Sequence, residues 1–335
     1  MRNVFIVLLV IITFSCSDEE KTIQRLTGNA FGTTYAIQYY GDEDSSLEIC
    51  VDSTIAAVNQ SLSTYVPDSD ISRINRGEGN IMVDQSFREV FELSKEVHQL
   101  SGDYFDPTVG MLRNAYGFGD HDPDPELDGP KLDSLMRYVG FDKVSLTKDN
   151  RIVTTEAGIY LDFNAVAKGY GIDRLGDCLD RLGIEHYLIE LGGELLGKGR
   201  NLSKEKPWSV GIETPGSRRV ERSYSDVVHL RNSAMASSGN YRKFRVDSIT
   251  GKKYVHTINP LTGLAQESDL TSATVIAPTC ARADAFATAF MAMGLERSKK
   301  VIAQLEDIEV YLTYIDSAGY DQAYLSPGFK LMLAQ

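Results

Sequence analysis

Asp284 and Thr288 stand four residues apart in TCARADAFATAFMAMG (279–294), on one face of a helix otherwise built from small and apolar side chains. Burying a charge in such surroundings costs on the order of several kcal/mol unless something compensates it. Capping does not explain the aspartate: with Thr279 as N-cap, Asp284 lies five residues in, beyond the capping positions. One carboxylate and one hydroxyl suit a hard cation such as Mg2+, which leaves its other positions to water and phosphate. Taken alone, the pattern also suits a surface aspartate on an Ala-rich helix.

Three other stretches carry groups able to do chemistry. In YLDFNAVAKGYGID (160–173), Asp162 ends a strand and Lys168 begins a helix, a tight passage where backbone groups approach a ligand. Lys168 alone fits a solvated helix position equally well. VHTINPLTG (255–263) sets His256 beside an Asn-Pro turn ending in Gly263, and a lone histidine is as readily structural as catalytic. SGDYFDPTVG (101–110) breaks a helix at Gly102 and offers Asp106 and Pro107 in a rigid turn. LGGELLGKG lacks the third glycine and the helix of a dinucleotide fingerprint, and neither GxSxG nor HExxH occurs.

The elements that must hold these groups follow from periodicity. NAFGTTYAIQYYG (29–41) alternates like one strand closing on Gly41. LEICVDSTIAAVNQSLSTY and SFREVFELSKEVHQLSG have helical spacing, the second capped by Gly102. KVSLTKDNRIVTTEAGIYLDF predicts strand, turn and strand; AKGYGIDRLGDCLDRLG predicts a helix. YLIELGGELLGKG predicts a buried strand running into a glycine turn, and KFRVDSITGKKYVHTI a hairpin with SITG at its tip. LTSATVIAP is a strand feeding the Asp284 helix, and EVYLTYIDSAGYDQAYLS a closing hairpin. Strands and helices are interspersed without strict alternation, which predicts one α+β domain. The Pro/Asp loop DHDPDPELDGP (120–130) is the best place for a boundary, but it is short and helix follows at once.

The 335 residues are 42% apolar and 24% charged, enough for a sizeable core, and the net charge of −13 argues against a nucleic-acid partner. The first residues stand apart. MRNVFIVLLVIITFSC has a basic Arg2, an apolar run too short for a comfortable membrane span, and Ser15 before Cys16. This predicts a bacterial lipoprotein signal over 1–15, a polar tether over 16–26 and the folded domain over 27–335. An ordinary signal peptide with an incidental cysteine is the plainer alternative. Cys50, Cys178 and Cys280 remain, an odd number without paired spacing, so no disulfide framework or zinc site is predicted.

In chain order the sequence shows FGTTY, LSTYVPDSDISRIN, SGDYFDPTVGMLRNAYGFG, DFNAVAKGYGID, LIELGGELLGKG, SSGNYRKF, KYVHTINPLTG and APTCARADAFATAFMAMG. This series closely resembles the ApbE family of FAD:protein FMN transferases, formerly called thiamine biosynthesis lipoproteins, from about Gly28 to the C-terminus. The resemblance implies an α+β domain related to the T-fold, with an FAD cleft within it. It implies Mg2+-dependent transfer of FMN from FAD to a Ser or Thr hydroxyl of a target flavoprotein, with release of AMP. By the same resemblance Asp284, Thr288 and the backbone carbonyl of Ala165 hold the metal. Flavin-nucleotide contacts fall on Phe31, Tyr65, Phe105, Asp106, Pro107, Asp162, Lys168 and Ile258. Tyr65 and Phe105 offer ring faces, Asp106 and Asp162 accept hydrogen bonds, and Lys168 approaches phosphate.

His256 is the favoured general base, because an imidazole titrates near working pH, and Asp284 is catalytic through the metal. Phe31 and Asn259 depart from the commonest family pattern, which has methionine and aspartate there. The implied acceptors are membrane redox subunits of Nqr/Rnf type, with the enzyme lipid-anchored at the inner membrane and facing the periplasm. Two alternatives share the same residues: a Mg2+-dependent FAD pyrophosphatase and a non-catalytic flavin-binding lipoprotein.

Overall fold

The computed structural model describes residues 22–334 apart from 43–44, 120–121, 125–126, 128, 215–222, 241–243, 247–250, 252 and 266–267. The signal segment, Cys16 and most of the tether lie outside the described residues, as does most of the SITG tip.

The first strand expected from the sequence is two. Phe31 and Gly32 both take positive φ, 50° and 76°. That is the two-residue hairpin geometry whose twist matches the flanking strands. It joins β1 (Gln24–Ala30) to β2 (Thr33–Tyr39) in antiparallel register, with Ala30 opposite Thr33. β1 thus begins at Gln24, inside the span expected to be tether. β1 leaves little signal in the sequence because the more buried face of QRLTGNA carries Gln24, Leu26, Gly28 and Ala30, with Leu26 its one large apolar residue.

Next come helices α1 (Ser45–Leu62), α2 (Asp70–Asn75), α3 (Gln85–Leu100), α4 (Gly110–Ala115) and α5 (Gly129–Met136). A small hairpin of β3 (Val144–Leu146) and β4 (Ile152–Thr154) precedes α6 (Ala167–Arg181). The single strand expected at 187–199 also folds back. Gly192 and Gly193 turn it at positive φ into β5 (Tyr187–Leu191) and β6 (Glu194–Lys198). Then follow β7 (Trp208–Glu213), β8 (Tyr224–Leu230), β9 (Ser233–Gly239) and the hairpin of β10 (Phe244–Val246) and β11 (Lys253–Val255). The chain ends with β12 (Leu270–Ala277), α7 (Cys280–Met293), α8 (Leu295–Ile302), β13 (Glu309–Ile315), β14 (Asp321–Leu325) and α9 (Pro327–Met332).

An eight-stranded antiparallel sheet runs β1-β2-β5-β6-β9-β12-β13-β14. Side chains alternate across it. Ala236, Val275, Val310 and Leu312 join a core with Phe87, Phe91, Phe286 and Phe290 from α3 and α7. Met235, Ile276 and Tyr311 point the other way, into a second core made by Trp208, Val228 and Leu230 of the β7–β8 hairpin and by Phe329 of α9. The sheet is therefore the middle layer between helices and a hairpin, a mixed α+β domain as expected. β9 (SAMASSG) is a central strand with Met235 as its one large apolar residue; on its other face Ala234 and Ala236 let α7 pack closely against it. Its small side chains conceal it from periodicity. The 120–130 loop is no boundary, since Leu112 and Tyr116 before it share a cluster with Leu132 and Val139 after it.

Close packing explains the composition of α7. It lies against β9, β12, α3 and α6, and nearly every side chain on it is buried. A helix enclosed on all sides carries no polar face. The approach of α6 is tightest at Gly169, where a Cβ would stand 2.4 Å from the Cys280 carbonyl oxygen. The fold also overturns the cysteine expectation. Cys50 of α1 and Cys178 of α6 form a disulfide with Cα atoms 6.1 Å apart, and Cys280 stays free and buried. Spacing could not reveal a pair 128 residues apart that only helix packing brings together.

Candidate active site

The site is built where the first turns of α6 and α7 meet. Asp284 is 5% exposed, and its Oδ2 accepts a hydrogen bond from the Gly169 N–H at 3.2 Å. Thr288 lies one turn further along the same helix, half-buried, and Ala165 sits in the loop leading into α6. Lys168, next to Gly169, forms an ion pair with Glu194, the first residue of β6. Glu194 is 4% exposed, and its Oε2 is buried without a hydrogen-bond partner among the described residues.

The charges in this cluster act on one another. Burial, reinforced by the Glu194 charge, pushes the Asp284 carboxyl up to about 8 against the pull of Lys168 and the Gly169 N–H. Burial works to lower the Lys168 ammonium, but Glu194 and Asp284 outweigh it and hold it above its usual value. A carboxyl raised this far is one that a cation would return to its ionised form. The donors available, a carboxylate, a hydroxyl and a backbone carbonyl, are hard oxygens that fit a divalent cation with open positions. Among the described residues no group of three His, Cys, Asp or Glu side chains converges on a metal position. A site relying on one carboxylate is consistent with that.

The α6–α7 junction is fixed from a second point. Asp173, one turn beyond Gly169, accepts from the N–H groups of Cys280 and Ala281 at 2.7 and 2.9 Å. These are the first residues of α7, where backbone donors lack helical partners. Thr279 caps the same end, accepting from Arg282 N–H as expected.

The loop 162–167 leads from this cluster to a second wall. Asp162 donates its N–H to the Pro107 carbonyl at 2.7 Å, and its Oδ1 accepts from the Asn164 N–H at 2.8 Å. Its Oδ2 accepts from Arg113 Nη1 at 2.9 Å. Arg113 Nη2 also donates to the Tyr65 hydroxyl at 2.6 Å, with the guanidinium 5.8 Å from the Tyr65 ring centre. The Tyr65 ring is 57% exposed. Tyr65, Arg113, Asp162 and Pro107 thus make one connected surface.

Phe105 and Asp106 face inward. The Phe105 ring is 3% exposed within the main core. The Asp106 carboxylate accepts from Thr108 N–H at 2.8 Å, from its hydroxyl at 2.5 Å and from Phe141 N–H at 3.0 Å. Both shape the loop that presents Pro107. Phe31, on the β1–β2 turn, lies over Gly171 of α6, where a Cβ would come within 2.4 Å of its ring. Ile258 packs beside Leu112 and Tyr116 around α4, so the turn carrying it is anchored to the helix that holds Arg113. His256 lies half-buried between β11 and that turn.

Sequence reasoning missed Arg113, Asp173 and Glu194. Asp173 ends a stretch singled out for chemistry and Arg113 lies three residues beyond another, but nothing local distinguishes them from surface charges. Glu194 is hidden because a single strand and turn over LGGELLGKG gives its side chain no special place.

Known proteins share the sequence and the fold. The family model described as the ApbE family matches residues 31–312. A protein named FAD:protein FMN transferase from Haemophilus influenzae is 31% identical, over 96% of this chain and 94% of its own length. The protein of the same name from Vibrio cholerae is 32% identical over 100% of both. A solved structure, flavin transferase ApbE from Vibrio cholerae, superposes with a TM-score of 0.83 at 31% identity, covering 93% of this chain and 99% of that one. With its motifs in order and its fold shared over nearly the whole length, this chain belongs to the ApbE family.

Proposed function

We propose that this protein transfers FMN from FAD to a Ser or Thr hydroxyl of a target flavoprotein, releasing AMP, in a Mg2+-dependent reaction. The observation that carries the proposal is the buried Asp284 carboxylate, with Thr288 one turn away and the Gly169 N–H of α6, the helix entered from the Ala165 loop, bonded to it. Relatives over the full length bear the name FAD:protein FMN transferase, which supports the same activity.

In the transfer, the acceptor hydroxyl oxygen forms a bond to the FMN phosphorus. The bond from that phosphorus to the bridging pyrophosphate oxygen breaks, and the oxygen leaves with AMP. His256 takes the hydroxyl proton. Lys168, kept charged by Glu194 and Asp284, draws the phosphates toward α6. Tyr65 presents an exposed ring to the flavin nucleotide, and Arg113 holds that ring and Asp162 in one geometry. Asp284, Thr288 and the backbone carbonyl of Ala165 would hold Mg2+, which would supply charge stabilisation to the pyrophosphate.

The protein acts from the cell envelope as a lipoprotein anchored through Cys16 at the inner membrane and facing the periplasm. Its acceptors are membrane redox subunits of Nqr/Rnf type. The Cys50–Cys178 disulfide supports an oxidising compartment. Among the described residues no helix is long and apolar enough to cross a membrane, so attachment falls to the N-terminus. One assay tests the activity: incubation with FAD, Mg2+ and an acceptor domain yields AMP together with covalent flavin on the acceptor. AMP without covalent flavin in the presence of acceptor identifies a pyrophosphatase instead, and neither product identifies a flavin-binding protein.

A further inference from the structure

Glu194 is a buried carboxylate with only half of its hydrogen-bonding capacity used. One oxygen meets Lys168, while Oε2 is shut off from solvent without a partner among the described residues. Leaving a charged group in that state is costly. Its place in the fold is specific. The Gly192–Gly193 turn puts Glu194 at the head of β6, next to the first turn of α6. Lys168, which it grips, precedes Gly169, and the Gly169 N–H in turn binds Asp284. Glu194, Lys168 and Asp284 are therefore one connected group of two carboxylates and one ammonium, short of positive charge.

We propose that Glu194 is a positioning residue for the divalent cation: it orients Lys168 through Oε1 and keeps Oε2 for a hydrogen-bond donor that enters with the hydrated cation. This inference rests on the Mg2+ reading of Asp284. It extends that reading to a residue from a different element that touches neither Asp284 nor Thr288 by any described hydrogen bond. Two charges within a few ångströms in a poorly solvated site interact far more strongly than at a surface. Removing the negative charge of Glu194 therefore weakens cation binding although no ligand of the cation has changed.

The test measures Mg2+ alone, without FAD, binding to the full-length protein by calorimetry and by the rise in melting temperature. E194Q binds Mg2+ at least ten-fold more weakly than wild type and shows a smaller metal-induced rise. E194D, which keeps the charge, recovers most of the loss. E190Q removes a charge from the neighbouring strand, where Glu190 only receives the Gly193 N–H, and leaves the affinity as in wild type. A merely structural role for Glu194 lowers the metal-free melting temperature and leaves the affinity of the folded protein alone. Wild-type Mg2+ affinity in E194Q overturns the proposal.

Should E194Q fail to fold, K168M carries the test. Removing the ammonium leaves Glu194 without its one counter-ion among the described residues, so Mg2+ binds at least as tightly as in wild type. A ten-fold loss there overturns the charge argument. D284A separates the two levels of inference. If D284A binds Mg2+ normally, the metal reading itself fails. If D284A loses binding and E194Q does not, only the role of Glu194 fails.

Discussion

Asp284 and Arg113 show two ways in which a single residue can serve a site. Asp284 is held in an enclosed helix among alanines, where its charge is unwelcome unless a cation meets it. Asp284→Ala is expected to lower flavin transfer and AMP release by at least about 1,000-fold, the scale of losing a metal's charge stabilisation. The metal-free protein keeps its melting temperature, because an alanine suits that helix. Transfer at the normal rate by this variant under limiting Mg2+ would show that the metal lies elsewhere. Arg113 works instead by geometry. Its planar guanidinium bonds Asp162 and Tyr65 from two different nitrogens, a span that the single nitrogen of a lysine does not reproduce. Arg113→Met is expected to weaken FAD binding by about 10- to 100-fold, the range for losing charge-assisted hydrogen bonds. Arg113→Lys recovers only part of this. Flavin fluorescence titration checks both variants, and unchanged affinity in Arg113→Met would remove Arg113 from the site.

Among the elements, the pair α6 and α7 decides whether the site exists. Gly169 allows the approach, its N–H reaches Asp284, and Asp173 fastens the start of α7. The other flank of α6 is tied to α1 by the Cys50–Cys178 disulfide. A crosslink closing a loop this long restricts the unfolded chain strongly, worth on the order of 2–5 kcal/mol. Cys50→Ser is therefore expected to lower the melting temperature, and a reductant to lower that of wild type but not of the variant. Both are read by thermal melts with and without reductant. Identical curves for all four samples would mean the bridge contributes nothing to stability.

For the whole molecule, attachment and catalysis are separable. β1 begins at Gln24, so little chain lies between Cys16 and that strand. If lipid on Cys16 does the anchoring, as proposed, Cys16→Ser is expected to leave washed membranes and appear in the soluble fraction, with unchanged activity on a soluble acceptor. Fractionation followed by the AMP assay checks this. A Cys16→Ser protein that stays in washed membranes would count against lipidation at that residue.

The sequence by itself determined the local pieces. The helical spacing in α1, α3 and α6, the four-residue step from Asp284 to Thr288 and the order of the motifs were all legible, and with them the family. Those features are local because hydrogen bonding and burial within one element leave a period in the residues. Tertiary structure alone decided what lies across elements: Glu194 against Lys168, Arg113 between Tyr65 and Asp162, Asp173 on the end of α7, and Cys50 with Cys178. β9 shows the same divide within the sheet, since its small residues answer to α7 packed against it and not to any alternation of its own. Each of these pairings joins residues from separate elements. No period records such a pairing, because packing, not the nearby chain, chooses the partner.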